Sequence, residues 1–380
     1  MANKTDTRPK GAAVAALDRR QFLRTGMVAG ASAGGLLAGL GLSAHVLAQT
    51  AGSAASAGAG ARPGRLALPP EPKVSQPPPL KDLRGKVAYI SASSDGIGLG
   101  IARAASNAGM KVVIGYRNEK RLEAALPLFK PGNAGVLPIK HDVTDRAAWA
   151  AMLEQVKSRY GKLHLVVNNA GVKTLREASQ AKFDEWDNAV AVNFTAIFNS
   201  VAVCLPHMLQ HGEGGHFVTT ASMGGLLPGV NAGVYTSTKI AAVGIMEALR
   251  VELESTNIGT SVFCPGGVNT DNYVGTGEPN PARTPPPPGC PRFVSASMDA
   301  LEAGERVLNG VVHNDLFILS HPEFKPGMRE RFDAVMVSTP TVEEPIAPER
   351  IAFERGVMRC GIYEREIEHR KIPRASYRSV

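Results

Sequence analysis

A chain of 380 residues with 44% hydrophobic and 20% charged side chains lies near the globular average and has ample material for one large domain or two ordinary ones. The formal charge of +8 is concentrated at the front: residues 1–48 hold six Lys/Arg and two Asp, which leaves 36 Lys/Arg against 32 Asp/Glu, a net +4. That is too mild and too scattered for a nucleic-acid partner. The four cysteines (Cys204, Cys264, Cys290, Cys360) have no metal-ligand spacing, so neither a metal centre nor a disulfide scaffold is expected. Cys204 and Cys264 lie in apolar runs as core thiols, whereas Cys290 and Cys360 are free to pair or to stay apart.

In chain order the first feature is Asp18-Arg19-Arg20-Gln21-Phe22-Leu23-Arg24, after which no charged residue occurs until Arg62. Residues 25–48 are Gly/Ala-rich and only weakly apolar, short of the about 20 strongly apolar residues a membrane span needs. Val46-Leu47-Ala48 before Gln49 suits signal-peptidase cleavage. Together these features resemble a twin-arginine export signal, which implies a periplasmic protein exported folded, with no stable membrane insertion after signal removal. A retained N-terminal anchor or a chance basic-apolar start are the alternatives. Residues 49–84 then read as an Ala/Gly/Ser-rich and Pro-rich linker or arm, with order beginning near Gly85.

From Gly85 strand-like and helix-like segments alternate. Strands are expected at Lys86–Ser91, Val112–Ile114, Val136–Ile139, Leu163–Val167, Phe217–Thr220 and Ser261–Phe263. Helices are expected at Ile97–Ala108, Glu119–Phe129 and near 145–159, 184–209 and 236–255. Such alternation means crossover units and a parallel sheet covered on both faces, a doubly wound α/β domain of Rossmann type over 85–320. Residues 271–297, with four consecutive prolines from Pro285, exclude regular helix and central strand. A helix near 298–311 and a strand Leu316–Leu319 resume the alternation, and 321–380 is a charged, Pro-interrupted C-terminal extension.

The chemistry-bearing residues fall at the carboxyl ends of these strands, where open α/β sheets bind ligands. Ser91-Ala92-Ser93-Ser94-Asp95-Gly96-Ile97-Gly98 joins the first strand to the first helix, a glycine-rich turn facing a helix N-terminus suited to a pyrophosphate. Asn168-Asn169-Ala170-Gly171 follows the fourth strand, Asn193 lies in the long helix after it, and Ser222 follows the fifth strand. Tyr235 and Lys239 open the next helix, and Pro265-Gly266-Gly267-Val268-Asn269-Thr270 follows the sixth strand. Tyr235 stands 13 positions after Ser222. This ordered collection resembles the short-chain dehydrogenase/reductase family over about residues 85 to 320, although Ser91 and Ala92 replace the family's Thr-Gly at the turn. A methyl group at Ala92 is harmless only at negative φ, which puts the usual loop shape in question.

The resemblance implies an oxidoreductase with the catalytic set Asn193, Ser222, Tyr235 and Lys239. Tyr235 and Lys239, four apart, share a helix face, so the ammonium is expected to lower the phenol pKa and let Tyr235 exchange a proton with the substrate oxygen while hydride passes to or from a nicotinamide. Ser222 polarises the same oxygen. The resemblance further gives Asn193 a water that links Lys239 to solvent, and gives Lys239 the nicotinamide ribose. The nucleotide contacts implied are Ser91, Ser93, Ser94, Gly96, Ile97, Gly98, Asn169, Ala170, Gly171, Pro265, Gly266, Val268 and Thr270, with Tyr235 and Lys239, and with Asp142 and Val143 at the adenine. Arg117 at the end of the second strand, helped by Arg121, suits a 2′-phosphate and points to NADP; Asp95, where many NADP enzymes of this family are basic, speaks for NAD.

Met223, Leu226, Leu227, Val230, Val172, Phe194 and Tyr273 are expected to line a mostly apolar substrate pocket, with Lys173 and Arg176 as possible carboxylate contacts and 271–297 as its lid. The substrate expected is a small-molecule alcohol or ketone with an apolar body. The segment Leu316–Phe332 resembles a branch of the family that oxidises bulky secondary alcohols, including aromatic ones. The family also implies a homotetramer or homodimer. Cofactor loading before export predicts tight NADP retention, with the Pro-rich arm 62–80 over the cleft or against a neighbouring subunit. Two rivals stand beside this reading: a nucleotide-binding sensor or scaffold without turnover, and an epimerase-type reaction on a tightly bound cofactor.

Overall fold

The computed structural model describes residues 72–129, 135–270, 298–341, 345–374 and 376. All of them belong to one compact unit. The export leader, the arm as far as residue 71, the lid segment 271–297 and the two side chains Tyr273 and Cys290 lie outside the described residues.

Seven parallel strands form one sheet in the order β3-β2-β1-β4-β5-β6-β7. They are β1 Val87–Ile90, β2 Lys111–Tyr116, β3 Val136–Lys140, β4 Leu165–Asn168, β5 Gly215–Thr220, β6 Ile258–Cys264 and β7 Phe317–Leu319. Every residue of β1, β4, β5 and β6 is buried, which is why these segments read as continuous runs without polar alternation. The chain builds β1, β2 and β3 outward, then returns to place β4 on the other side of β1. The crevice beyond the carboxyl ends of β1 and β4 is therefore the switch point of the fold.

Two apolar layers cover the sheet. On one face Trp149, Met152, Met208 and Met246 come from α3 (Arg146–Tyr160), α5 (Ala196–His211) and α6 (Gly233–Leu253). On the other, Ile101, Ala104, Val307 and Val311 come from α1 (Gly96–Asn107) and α7 (Ala300–His313). A Cβ on Gly100 of α1 would stand 1.8 Å from the Ala300 carbonyl, and one on Gly304 of α7 2.4 Å from the Gly100 carbonyl. The small residues of these helices thus let two backbones touch.

Several elements differ in detail from their expected form. The helix expected over 119–129 stops as α2 (Glu119–Ala125) and tightens into a 3₁₀ turn at Leu126–Leu128, because Pro127 has no N–H to continue it. The helix expected over 184–209 is α4 (Phe183–Val190), a π turn at Ala191–Thr195, and then α5. The C-terminal extension forms three helices: α8 (Lys325–Val337), α9 (Pro348–Met358) and α10 (Gly361–Arg370).

Packed structure begins before Gly85. Leu80 and Leu83 are buried, and the Gln76 amide donates to the carbonyls of Leu253, Thr256 and Ile258 while accepting from Asn314. Arg365 of α10 holds the Pro72 carbonyl at 2.8 Å and pairs with Glu254 at 2.5 Å. These contacts run along the amino edge of the sheet, so residues 72–80 of the arm lie away from the crevice and not over it. Two apolar side chains and one well-placed amide suffice to dock a segment too polar to fold alone.

Burial also depresses several histidines: His141 and His164 to about 4, His216 to about 3, and His207 in the same direction. The unfolded chain takes up these protons near the ordinary value of 6.5 while the folded protein refuses them until far lower pH. Stability is therefore fully present above about pH 6.5 and is lost as pH falls toward 4, by up to about 1.4 kcal/mol per pH unit for each buried ring. Thermal melts are expected to give a clearly lower Tm at about pH 5 than at about pH 7.5; equal values would contradict the neutral burial of these rings.

Candidate active site

The loop after β1 is stitched to the start of the second half of the sheet. The Ser91 hydroxyl accepts the amides of Asn169 and Ala170, each at 2.9 Å, and donates to Val167. Asn169 returns its side-chain amide to the carbonyls of Ser91 and Ala92, and Thr220 donates to the Asn169 side-chain oxygen. Ser93 donates to Ile90, and a Cβ on Gly98 would strike the Ala92 carbonyl at 2.4 Å. Ser91, Ser93 and Gly98 thus build the loop from behind and do not line the cleft. Ala92 sits at φ +48°, the left-handed region that a negative φ was required to avoid, at a cost of roughly 1–2 kcal/mol for an L-residue. The loop keeps a glycine-like backbone despite its methyl group.

Along the carboxyl ends of the strands runs a cavity of about 790 Å³. Of the expected nucleotide contacts, Ser94, Gly96, Ile97, Arg117, Val143, Asn169, Ala170, Gly171, Pro265, Gly266, Val268 and Thr270 line it, as do Ser222, Tyr235 and Lys239. Asp142 stands behind the wall, its carboxylate taken up by Thr144 and by Arg117 at 3.4 Å. Arg121 also reaches the cleft and pairs with Asp95 at 3.0 Å. Each arginine at this end therefore has a carboxylate beside it.

At the other end Ser222 caps its own turn, accepting the Gly224 amide at 3.0 Å, and stands beside Tyr235: a Cβ on Gly224 would lie 3.2 Å from the Tyr235 ring and 3.5 Å from the Ser222 hydroxyl oxygen. α6 begins at Gly233, so Tyr235 stands in its first turn and Lys239 one turn on. Lys239 is buried and donates to the Thr220 carbonyl at 2.9 Å, with Nζ 5.7 Å from the centre of the Tyr235 ring. The expected lowering of the Tyr235 pKa is not what this geometry produces. Burial pushes the phenol up, with only the Ser222 hydrogen bond opposing it, and pushes Lys239 down to about 8. The ammonium is spent on a carbonyl and is itself desolvated.

Asn193 is not on the cavity wall. It sits in the π turn, where its amide brackets both backbone groups of Val172 and donates to Thr238 at 3.0 Å. A Cβ on Gly171 would stand 3.4 Å from both Asn193 Oδ1 and Lys239 Nζ, so that glycine leaves the ammonium open toward the cleft. Val172, Met223, Leu227, Val230 and Lys173 line the substrate end as expected, while Leu226, Phe194 and Arg176 do not; Arg176 pairs with Glu185. Sequence reasoning missed Thr220, Leu175, His141 and Phe324. Thr220 ends β5 two residues before Ser222 and could have been found by that position; Phe324 reaches the cleft only because the tail folds back.

A nicotinamide dinucleotide fits this donor set: a left-handed loop before a helix N-terminus, a glycine-faced lysine and a Ser–Tyr pair at the far end of one continuous cleft. A family model for the short chain dehydrogenases matches residues 86–280. The chain belongs to the short-chain dehydrogenase family. It is 28% identical over 278 residues to the C alpha-dehydrogenase of Sphingobium sp., covering 70% of this chain and 90% of that one. Among solved structures, the LigO-apo form from Sphingobium sp. is 32% identical, covering 74% of this chain and 99% of that one, with a TM-score of 0.62. A short-chain dehydrogenase/reductase from Burkholderia phymatum, solved with NAD, is 26% identical, covering 70% and 99%, with a TM-score of 0.61. The chain is thus an oxidoreductase of this family with a Rossmann-type sheet, and membership implies a nicotinamide cofactor.

Proposed function

We propose that the protein is an NADP-dependent oxidoreductase that interconverts a bulky secondary alcohol and its ketone, exported folded with its nucleotide bound and working in the periplasm as a homodimer or homotetramer. The observation that carries this reading is that Ser222 and Tyr235 stand side by side on the cleft wall with Lys239 buried behind them. Burial keeps Tyr235 protonated near neutrality, which suits donation to a ketone oxygen; in the reverse direction Tyr235 first passes its own proton toward solvent, and the phenolate then takes the alcohol proton. Ser222 donates to the same oxygen and polarises the carbonyl. Lys239, at about 8, is the readier of the two to release a proton and can reprotonate Tyr235. The turn at Asn193, against the helix that carries both, is where a water joining Lys239 to solvent belongs. The bound nicotinamide supplies the two-electron acceptor or donor.

The apolar wall of Met223, Leu227, Val230 and Phe324 supports a substrate with an aromatic or otherwise bulky body, and the name of the C alpha-dehydrogenase relative is in keeping with a carbinol carbon as the reacting centre. Arg117 and Arg121 support a 2′-phosphate, which displaces Asp142 and Asp95 as their partner. Apolar residues exposed on α8 and α9, among them Met336 and Met358, offer surface for association.

Replacing Tyr235→Phe is expected to abolish turnover with a panel of secondary alcohols while nucleotide affinity and melting temperature stay near wild type. A variant that keeps more than about a tenth of kcat, a loss of under about 1.4 kcal/mol of barrier, removes Tyr235 from the proton step.

Arg117→Asp is expected to move the ratio of NADP to NAD affinity toward NAD by more than about tenfold, since a charge-assisted hydrogen bond of about 1.5–3 kcal/mol is lost. An unchanged ratio in titrations with both nucleotides means that Arg117 does not read the 2′ position.

Mature protein taken from the envelope fraction, exchanged extensively into fresh buffer and then denatured, is expected to release about one NADP per chain, as tight retention requires. Protein that stays in the cytoplasm with residues 1–48 uncleaved disproves export, and release of far less nucleotide disproves tight retention.

A further inference from the structure

The proton step makes no use of the segment that follows β7, Ser320-His321-Pro322-Glu323-Phe324, although Phe324 reaches the cleft wall. His321 is only 8% exposed and lies against the loop 265–270, which forms that wall beside the proposed nicotinamide end. Its Nδ1 accepts the Gly266 amide at 2.9 Å and the Ser320 hydroxyl at 2.8 Å, and its Nε2 donates to the Gly267 carbonyl at 3.0 Å. A backbone amide can only donate and a carbonyl can only accept, so these contacts admit a single state of the ring: neutral, with its proton on Nε2. A second proton on Nδ1 would set one N–H against another at Gly266.

The fit is reciprocal. A Cβ on Gly266 would stand 2.8 Å from the His321 ring and 2.8 Å from the Phe324 ring, so the glycine makes room for both. On its other side the loop is tied to the segment that carries Ser222, because the Met223 amide donates to the Pro265 carbonyl at 2.8 Å. The loop is therefore held at its start by Ser222's neighbour and by one imidazole, and farther on by Met298, whose amide donates to the Gly267 carbonyl at 3.0 Å and whose carbonyl accepts the Asn269 amide at 2.9 Å. The titratable side chains of the surrounding elements are Cys264 of β6, Tyr235 and Lys239 of α6, and Glu323 and Lys325 beside the ring in sequence. Among the described residues none of these bonds to or pairs with His321, so the charge of the ring itself decides whether the start of the loop at Gly266 is held.

We propose that His321 is a positioning residue that keeps the 265–270 loop in its nucleotide-binding shape only while its ring is neutral, so that acid loosens the cofactor. This rests on the reading of the cleft as a dinucleotide site. A proton on Nδ1 removes the Gly266 hydrogen bond and releases the first of the two peptide groups that the ring brackets.

The test is NADP and NAD affinity of the mature chain by calorimetry from about pH 5 to about pH 8, for wild type, His321→Phe and His321→Asn. Wild-type affinity is expected to fall about tenfold or more toward the acid end. His321→Phe fills the space without either hydrogen bond; it is expected to bind about tenfold more weakly at the alkaline end, about 1.4 kcal/mol, and to lose the acid dependence. His321→Asn offers an acceptor and a donor that do not titrate, and is expected to recover much of the affinity with a flat profile. Thermal melts at each pH separate loop release from global unfolding. If the variants retain the wild-type acid loss, or wild type shows none, the role of His321 is overturned while the cleft reading stands. If wild type binds neither nucleotide at any pH, both fall.

Discussion

The amides of Asn169 and Ala170 both end on the hydroxyl of Ser91, and the architecture of the cleft depends on that junction. β1 and β4 are neighbours in the sheet but stand far apart in sequence, and their carboxyl ends must diverge to open a crevice. A hydroxyl that accepts two amides and donates to Val167 ties the loop after β1 to the loop after β4. The left-handed turn at Ala92 and the close approach of Gly98 follow from it, because Asn169 reaches back to the Ala92 carbonyl beneath the helix N-terminus. Serine serves here where the family pattern has threonine, since the hydroxyl, and not the methyl, makes the junction.

Electrostatics inside the cleft are governed by burial more than by pairing. Lys239 and Tyr235 share a helix face, yet the ammonium points to the Thr220 carbonyl and desolvation drives the two groups apart, the phenol up and the amine down to about 8. The ammonium is thereby the stronger acid of the two, which favours passing a proton from Lys239 to a Tyr235 phenolate. At the opposite end Arg117 and Arg121 keep their charge exposed and balanced by Asp142 and Asp95, which maintains a solvated, exchangeable site.

The two ends of the described chain meet away from this cleft. Residues 72–83 and α10 close over the amino edge of the sheet through Gln76, Arg365 and Glu254, while Asp315 gathers Arg370 and Arg374 beneath β7. Buried charges at this density carry a large desolvation cost, which complete pairing offsets. The loop 265–270 and Phe324 show the complementary arrangement: the turn after β7 folds back toward the crevice and contributes to its wall.

Much of this protein was legible from its residues alone. Period and apolar runs decided the strands, because a segment buried on both faces of a parallel sheet has no polar alternation to hide it. Order and spacing brought out Ser222, Tyr235 and Lys239, because a helix of fixed pitch must place positions four apart on one face. Three things were decided only in the tertiary structure. The direction of the Tyr235 and Lys239 shifts depended on how deeply both are buried and on which carbonyl the lysine finds. The backbone at Ala92 depended on what Asn169 and Gly98 press against it. The path of residues 72–83 depended on acceptors offered by Leu253, Thr256 and Ile258, nearly two hundred residues on. Local pattern is written in neighbouring residues, whereas burial and long-range hydrogen bonds exist only after distant segments have met.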